Sequence, residues 1–290
     1  MTLPGHFTPQ PTEDGSFTFF SQQFGEMFHS HYGACQEADL KFVQPCILPH
    51  KAHQHEFRIL DVCYGLGYNT AAALEWIWAI NPNCLITVVA LELDATVPQT
   101  AIAHNLLNLW NPAIQQDLAT LATQGQIQTQ RLHATLHLGD ARQTIQAVQS
   151  THFDAVFLDP FSPPHCPQLW TVEFLAQVAR CLQPTGRLTT YSCAAAVRTA
   201  LLATGLFLGV TQAIGRRSPG TVASFTQRHL PPLSTQAQEH LRTKAAVPYR
   251  DPNLKDSPLT ILERRKQEKQ QSPLEPTSYW KKRWSIESDL

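Results

Sequence analysis

From residue 57 onward the chain alternates short, nearly continuous apolar runs with longer mixed ones. Strand-like runs fall at 57–62, 85–91, 134–138, 153–158 and 187–192, and helix-like segments at 70–80, 98–109, 141–149, 170–182 and 194–203. Strands separated by helices return to the same end of a sheet and pair in parallel, and burial on both faces makes them read as unbroken apolar runs. A parallel α/β sheet is therefore predicted. Two further apolar runs, 206–210 and 221–225, are joined by a segment holding Gly215 and Ser218-Pro219-Gly220 that fits no helix, so they should pair antiparallel.

The two ends of the chain read differently. Residues 16–21 and 26–31 look like short strands around a turn at Gly25, a hairpin ahead of the main sheet. Beyond 228, Pro231, Pro232, Pro248, Pro252, Pro258 and Pro276 break the chain into pieces too short for a domain of their own, with helical character only near 259–270. The expected division is an N-terminal hairpin or lid (1–50), a Rossmann-like core (51–227) and a basic, proline-rich C-terminal extension (228–290) draped on that core.

With 290 residues and 43% hydrophobic content the chain can bury a full core. The first residues lack the basic and apolar regions of a signal peptide, and no apolar run approaches the ~20 residues needed to cross a bilayer, so a cytoplasmic protein with no membrane partner is expected. Seven scattered cysteines without a Cys-x-x-Cys pair suit reduced thiols. His50, His53 and His55 lie in a polar stretch without a carboxylate or cysteine at ligand spacing, and His29 and His31 share only a strand face, so no metal is assigned. The net charge of −1 hides an asymmetry, because residues 242–283 carry eleven Lys or Arg against five Asp or Glu. Tyr249, Tyr279, Trp280 and Trp284 interleave with those cations, which suits phosphate neutralisation and base stacking on a nucleic acid, although a solvated helix face would also look this way.

The most chemical stretch is Asp61-Val-Cys-Tyr-Gly-Leu-Gly-Tyr-Asn69, a strand end, a glycine turn and a helix start. Gly65 and Gly67 lack a Cβ and allow positive φ, so a nucleotide-like cofactor can approach the backbone; a plain tight connection is the alternative. Ligands of open α/β sheets collect beyond the carboxyl ends of the strands. Four acids stand there: Asp61, Glu92, Asp140 and Asp159. Glu92 is placed to accept from both ribose hydroxyls and Asp140 from an exocyclic adenine amine, whereas any one of the four alone could be a helix N-cap.

This arrangement resembles the class I S-adenosylmethionine-dependent methyltransferases over about 57–226, with Cys63 where that family's Gly-x-Gly-x-Gly loop has its first glycine. The segment Asp159-Pro-Phe-Ser-Pro-Pro-His-Cys-Pro-Gln-Leu-Trp170 is similar to the Asp-Gly-Phe-Ala-Pro…Pro-x-x-Trp segment in the methyltransferase domain of the tRNA 5-methylaminomethyl-2-thiouridine biosynthesis protein family. Gly65-x-Gly67-x-Asn69, Thr185-Gly-Arg187, Gly215-Arg-Arg-Ser-Pro-Gly220 and, in the tail, Pro248-Tyr-Arg-Asp-Pro252 extend the resemblance along nearly the whole chain, in the manner of the family's stand-alone branch. The resemblance implies S-adenosyl-L-methionine as cofactor, held by Asp61, Tyr64, Gly65, Gly67, Asn69, Glu92 and Asp140. It implies tRNA, through its anticodon stem-loop, as partner, and N-methylation of a 5-aminomethyl group on the wobble uridine as reaction. No second strand–glycine–helix unit follows residue 226, so no flavin oxidase is expected and another enzyme would supply the amine.

Asp159 is the candidate catalytic residue, receiving or orienting the proton of the attacking amine, or else capping its loop. Pro160, Phe161 and Ser162 should shape the acceptor pocket, with Phe161 available to stack on a flipped uracil. Arg216 and Arg217 would hold phosphates or be plain surface charge, and Tyr64 would line the methionine pocket or pack under the turn. An aminopropyltransferase acting on a small polyamine shares the fold, a nicotinamide oxidoreductase shares part of the glycine pattern, and a decayed RNA-binding module would keep the tail alone. Deletion after 228 is expected to weaken tRNA binding and spare cofactor binding.

Overall fold

Two small antiparallel ladders precede the main sheet in the computed structural model, which describes residues 7–148, 152–213 and 219–286. Gln10–Pro11 (β1) pairs with Phe17–Thr18 (β2), and Phe20–Ser21 (β3) with Glu26–Met27 (β4), in the register Phe20↔Met27. The single expected hairpin over 16–31 is thus two ladders, and residues 28–31 leave the strand to cross the end of the main sheet. A helical stretch follows: Ala34–Glu37 (α1), a π-turn over Ala38–Val43, Gln44–Cys46 (α2) and Pro49–Ala52 (α3). Pro45 has no N–H to donate, and its ring would crowd the carbonyl of Lys41, which accounts for the widened turn before it.

The main sheet holds Glu56–Val62 (β5), Leu85–Glu92 (β6), Gln126–Gln128 (β7), Leu132–Leu138 (β8), Phe153–Leu158 (β9), Leu182–Thr190 (β10), Phe207–Val210 (β11) and Thr221–Ser224 (β12). Their order is β11-β12-β10-β9-β5-β6-β8-β7. The five central strands are parallel, with Leu60 facing Val89 on one side and Val156 on the other. β11 and β12 pair antiparallel as their broken connection predicted, and it is β12, the later strand, that inserts beside β10.

Helices cover both faces: Tyr68–Ile80 (α4), Thr96–Ala103 (α5), Pro112–Gln124 (α6), Ala141–Thr144 (α7), Val172–Arg180 (α8) and Ala195–Ala203 (α9). Alternation along β5 divides the core, with Phe57 and Ile59 facing the α4 and α6 side and Leu60 and Val62 the α8 and α9 side. α5 stops well short of the expected residue 109, because Asn105 turns left-handed with φ 54. α6 and the edge strand β7 are additional to the elements expected from the apolar pattern. β10 begins five residues earlier than expected, and Gly186 allows it: a Cβ there would lie 2.7 Å from the Phe153 carbonyl oxygen.

The extension carries three helices among its described residues, Thr235–His240 (α10), Pro258–Gln271 (α11) and Thr277–Ile286 (α12). It docks through Tyr249 and Ile261, both buried in the α8 side of the core, and through Arg250, whose Nε donates to Glu173 at 2.7 Å. Among the described residues no helix is long and apolar enough to cross a membrane. All seven cysteines are free thiols.

Candidate active site

The carboxyl ends of β5, β6, β8 and β9 open into a cavity of about 520 Å³, within the ~300–1,000 Å³ span of small-molecule sites. Its floor is the turn after β5. Cys63, Gly65 and Gly67 all lie in the left-handed region, with φ of 68, 57 and 87. Cys63 thus adopts a conformation that favours glycine, at a strain of about 1–2 kcal/mol. Two backbone donors, the N–H groups of Cys63 and Tyr64, converge on the Leu91 carbonyl at 2.9 and 3.0 Å and tie the turn to β6.

Of the residues expected to hold a cofactor, Gly65, Glu92 and Asp140 line the cavity, while Asp61, Tyr64, Gly67 and Asn69 form the layer behind it. Glu92 accepts from the Gly65 N–H at 2.8 Å and from the Leu93 and Asp94 N–H groups at 2.8 and 3.0 Å. Three of its roughly four lone-pair positions are thus occupied, which leaves about one for a ribose hydroxyl rather than two. Asp140 caps α7 through the Arg142 N–H at 2.9 Å and is also gripped by the Arg142 guanidinium. Asp61 is fully buried, accepts from Thr70 Oγ1 at 2.6 Å through Oδ2, and has no partner at Oδ1. Burial pushes its carboxyl up to about 7, despite the Thr70 hydrogen bond. Tyr64 packs under the turn, where a Cβ on Gly67 would meet its hydroxyl at 2.6 Å.

Asp159 lines the cavity at the tip of β9, and Asn69 Nδ2 donates to its Oδ2 at 3.0 Å. Burial pushes the Asp159 carboxyl well above its usual range, and the Glu37 carboxylate adds to the shift. The loop that follows is pinned from three elements. Trp170 Nε1 donates to the Phe161 carbonyl at 2.8 Å, Tyr191 Oη to the Pro160 carbonyl at 2.9 Å, and the Ser162 N–H to Glu26 at 2.8 Å. Pro160, Phe161 and Ser162 all face the cavity, but Phe24 already stacks on Phe161 at 4.4 Å, so one ring face is taken.

The apolar pattern did not single out the N-terminal wall: Phe24, Glu26, Phe28, His29 and Glu37 line the cavity across from Asp159. His29 stacks on Tyr68 at 5.2 Å, and burial pushes it down to about 4, so it is neutral near pH 7. Glu37 forms a buried pair with Lys41 at 2.8 Å. Among the described residues six carboxylates line the cavity, Glu26, Glu37, Glu92, Asp94, Asp140 and Asp159, and none of the lining residues is Lys or Arg, while Lys41 and Arg142 pair with Glu37 and Asp140 from behind. Such a wall favours a ligand that carries positive charge and repels phosphate.

The cationic tail is separate from this cavity. Lys244, Arg265, Lys266 and Lys269 line a basic depression beside α11. Three of the four aromatic side chains expected as stacking platforms instead hold the extension together. Tyr249 is buried under Arg265, Trp280 stacks on His240 at 4.1 Å, and Trp284 Nε1 donates to Glu239. Tyr279 alone of the four is well exposed, at 61%. Arg216 and Arg217 lie outside the described residues.

Residues 104–226 match the family described as S-adenosyl-L-methionine-dependent methyltransferase. The chain is 29% identical, over 89% of its own length and 71% of the other, to an uncharacterized protein of Methanocaldococcus jannaschii. It is also 29% identical, over 76% of its length, to the tRNA 5-methylaminomethyl-2-thiouridine biosynthesis bifunctional protein MnmC of Acidovorax sp., of which it spans about a third (35%). The crystal structure of MnmC2 from Aquifex aeolicus superposes with a TM-score of 0.80 at 33% identity, covering 93% of this chain and 87% of that one. The cofactor of the family, with its sulfonium and ammonium charges, suits the carboxylate-lined cavity and the close approach allowed at Gly65. The sheet order, the left-handed turn after β5 and this relationship together show that the chain belongs to the MnmC2 family of S-adenosyl-L-methionine-dependent methyltransferases.

Proposed function

We propose that the protein methylates the primary amine of 5-aminomethyluridine at the wobble position of tRNA, giving the 5-methylaminomethyl group. The observation that carries this reading is the acidic wall around Asp159, with no Lys or Arg among its described lining residues, which suits a cationic cofactor together with an acceptor that arrives as an ammonium ion. The tRNA part of the proposal is supported by the names of the MnmC relatives.

S-adenosyl-L-methionine supplies an electrophilic methyl group when bound, and what the protein adds is mainly alignment. An alkylammonium has a pKa of roughly 10.4, so the acceptor must lose a proton before it attacks. Asp159, with its carboxyl raised by burial, is better matched to receive that proton than an ordinary aspartate, and Asn69 fixes the carboxyl plane. Glu92 and Asp140 hold the ribose and adenine in this reading, with Asp61, Tyr64, Gly67 and Asn69 supporting the turn from behind. Pro160, Phe161 and Ser162 would form the nucleoside pocket, where a uracil can stack on the ring face of Phe161 opposite Phe24. Phosphates of the anticodon stem-loop, repelled by the cavity wall, would lie on Lys244, Lys266 and Lys269, and on Arg216 and Arg217. The amine would be supplied by a separate enzyme in the cytoplasm, with no oxidase step here.

Transfer of a labelled methyl group to tRNA bearing 5-aminomethyluridine, with unmodified tRNA alongside, tests the proposal. Label in the modified tRNA only is expected. Equal label in both, or label in neither from protein that binds the cofactor, would overturn the assigned acceptor.

A further inference from the structure

We infer that Arg142 and Asp251 position the carboxylate of Asp140, so that the C-terminal extension sets the adenine preference of a site it does not line. Asp251 belongs to the Pro248-Tyr-Arg-Asp-Pro252 segment, which the sequence ties to the family tail without giving it a role.

Arg142 divides its fork between two carboxylates. Its Nε reaches Asp140 Oδ1 and Oδ2 at 3.2 and 3.1 Å and its Nη2 reaches Oδ2 at 2.7 Å, a side-on grip on the acid at the cavity. Its Nη1 donates to Asp251 Oδ2 at 2.8 Å and to the Asp256 carbonyl at 2.9 Å. Every guanidinium nitrogen is thereby engaged, and the planar fork cannot turn about one acid without breaking with the other. Asp251 is itself held. It is fully buried, its Oδ1 accepts from the Lys255 and Asp256 N–H groups at 3.1 and 3.2 Å, and its own N–H donates to Glu173 on α8 at 2.8 Å.

The consequence falls on Asp140. The Arg142 N–H, Nε–H and Nη2–H groups take about three of the four lone-pair positions of its carboxylate, and the direction of the last one is set by the fork. That last position is the one left for an exocyclic adenine amine, so this inference rests on the reading of Asp140 as the adenine acceptor. Without the Asp251 carboxylate only the Asp256 carbonyl holds the Nη1 end of the fork, which can then tilt and misdirect the remaining lone pair. On this inference, removal of the residues beyond 228 would also weaken cofactor binding, where the sequence led us to expect that it would be spared.

The test uses the full chain carrying Asp251→Asn, an isosteric change that keeps an acceptor for the backbone donors and removes the charge facing Arg142. Dissociation constants are measured by calorimetry for S-adenosylhomocysteine and for S-inosylhomocysteine, in which a carbonyl replaces the amine. Wild type is expected to prefer the adenosyl ligand, and the variant to lose about tenfold in affinity for it while holding the inosyl ligand nearly unchanged. An equal loss for both ligands, or an unchanged preference, overturns the positioning role while leaving the Asp140 reading intact. No preference in wild type overturns the Asp140 reading and the inference with it. If thermal melting shows that the Asn variant is unfolded, Asp251→Glu gives the same comparison, because it keeps the charge and displaces it by one methylene against the Arg142 fork.

Discussion

Replacing Asp61 with Asn should make the ligand-free protein more stable above neutral pH. Asp61 is fully buried, its Oδ1 has no partner, and burial raises its carboxyl from the ordinary 3.8 to about 7. A carboxyl with a raised folded-state pKa contributes stability that is fully present below the unfolded value and is lost as pH rises through the folded one. Between about pH 4 and 7 the unfolded chain gives up its proton while the folded chain keeps it, and some three pH units at 1.36 kcal/mol each amount to about 4 kcal/mol. Asn keeps an acceptor for Thr70 Oγ1 and puts an amide where Oδ1 stood without a partner, a fixed cost of about 1–2 kcal/mol. The variant should therefore match wild type near pH 5 and exceed it by about 2–3 kcal/mol at pH 8, which is a melting temperature about 5 °C higher. Thermal unfolding of both proteins without ligand, followed by circular dichroism from pH 5 to 8.5, reads the difference directly. A gap that stays constant across that range, or a variant less stable at pH 8, would refute the reasoning.

Three further outcomes follow from the site. Gly67→Ala places a Cβ 2.6 Å from the buried Tyr64 hydroxyl at a φ of 87, and should cost about 2–4 kcal/mol in urea unfolding; an unchanged midpoint would show that the turn is not so constrained. Glu26→Gln weakens the hold of the N-terminal wall on Ser162 N and Oγ and should speed release of S-adenosylhomocysteine several-fold in stopped-flow measurements, with release at the wild-type rate counting against that wall as a barrier. Lys266→Glu combined with Lys269→Glu should weaken tRNA binding and lower the slope of log affinity against log salt by about two, whereas an unchanged slope would remove the α11 depression from the tRNA surface.

Elements whose burial is written in adjacent residues could be read directly. β5 and β9 are buried on both faces and appear as apolar runs, and the left-handed turn after β5 is marked by Gly65 and Gly67. α6 also carries local signals. Asn111 caps it by accepting from the Ala113 N–H, Pro112 occupies the first turn, and Gly125 closes it at φ 75. They are masked by a glutamine- and threonine-rich surface around a narrow buried stripe of Ile114, Leu118 and Leu121. The end of α5 did carry a local signal, since asparagine is a poor helix former that readily turns left-handed as Asn105 does, but the apolar Leu106 and Leu107 beyond it continue the helix-like pattern. Tail aromatics were misread for a related reason: a tryptophan beside lysines has the same local sequence whether it faces a base or, like Trp280, stacks on His240.

The sequence by itself determined the sheet, the glycine turn and the acids at the strand tips, because strand burial and left-handed backbone depend on sterics and hydrogen bonds within a few residues. Only the tertiary structure decided what those acids do. Asp61 lies behind the turn and not in the cavity, with a raised pKa that exists only because the core closes over it. Asp140 is held by Arg142, which meets Asp251 across 109 residues of chain, and Ser162 meets Glu26 across 136. No local pattern carries such pairings, since a carboxylate has the same neighbours in sequence whether folding leaves it in water or buries it against a guanidinium.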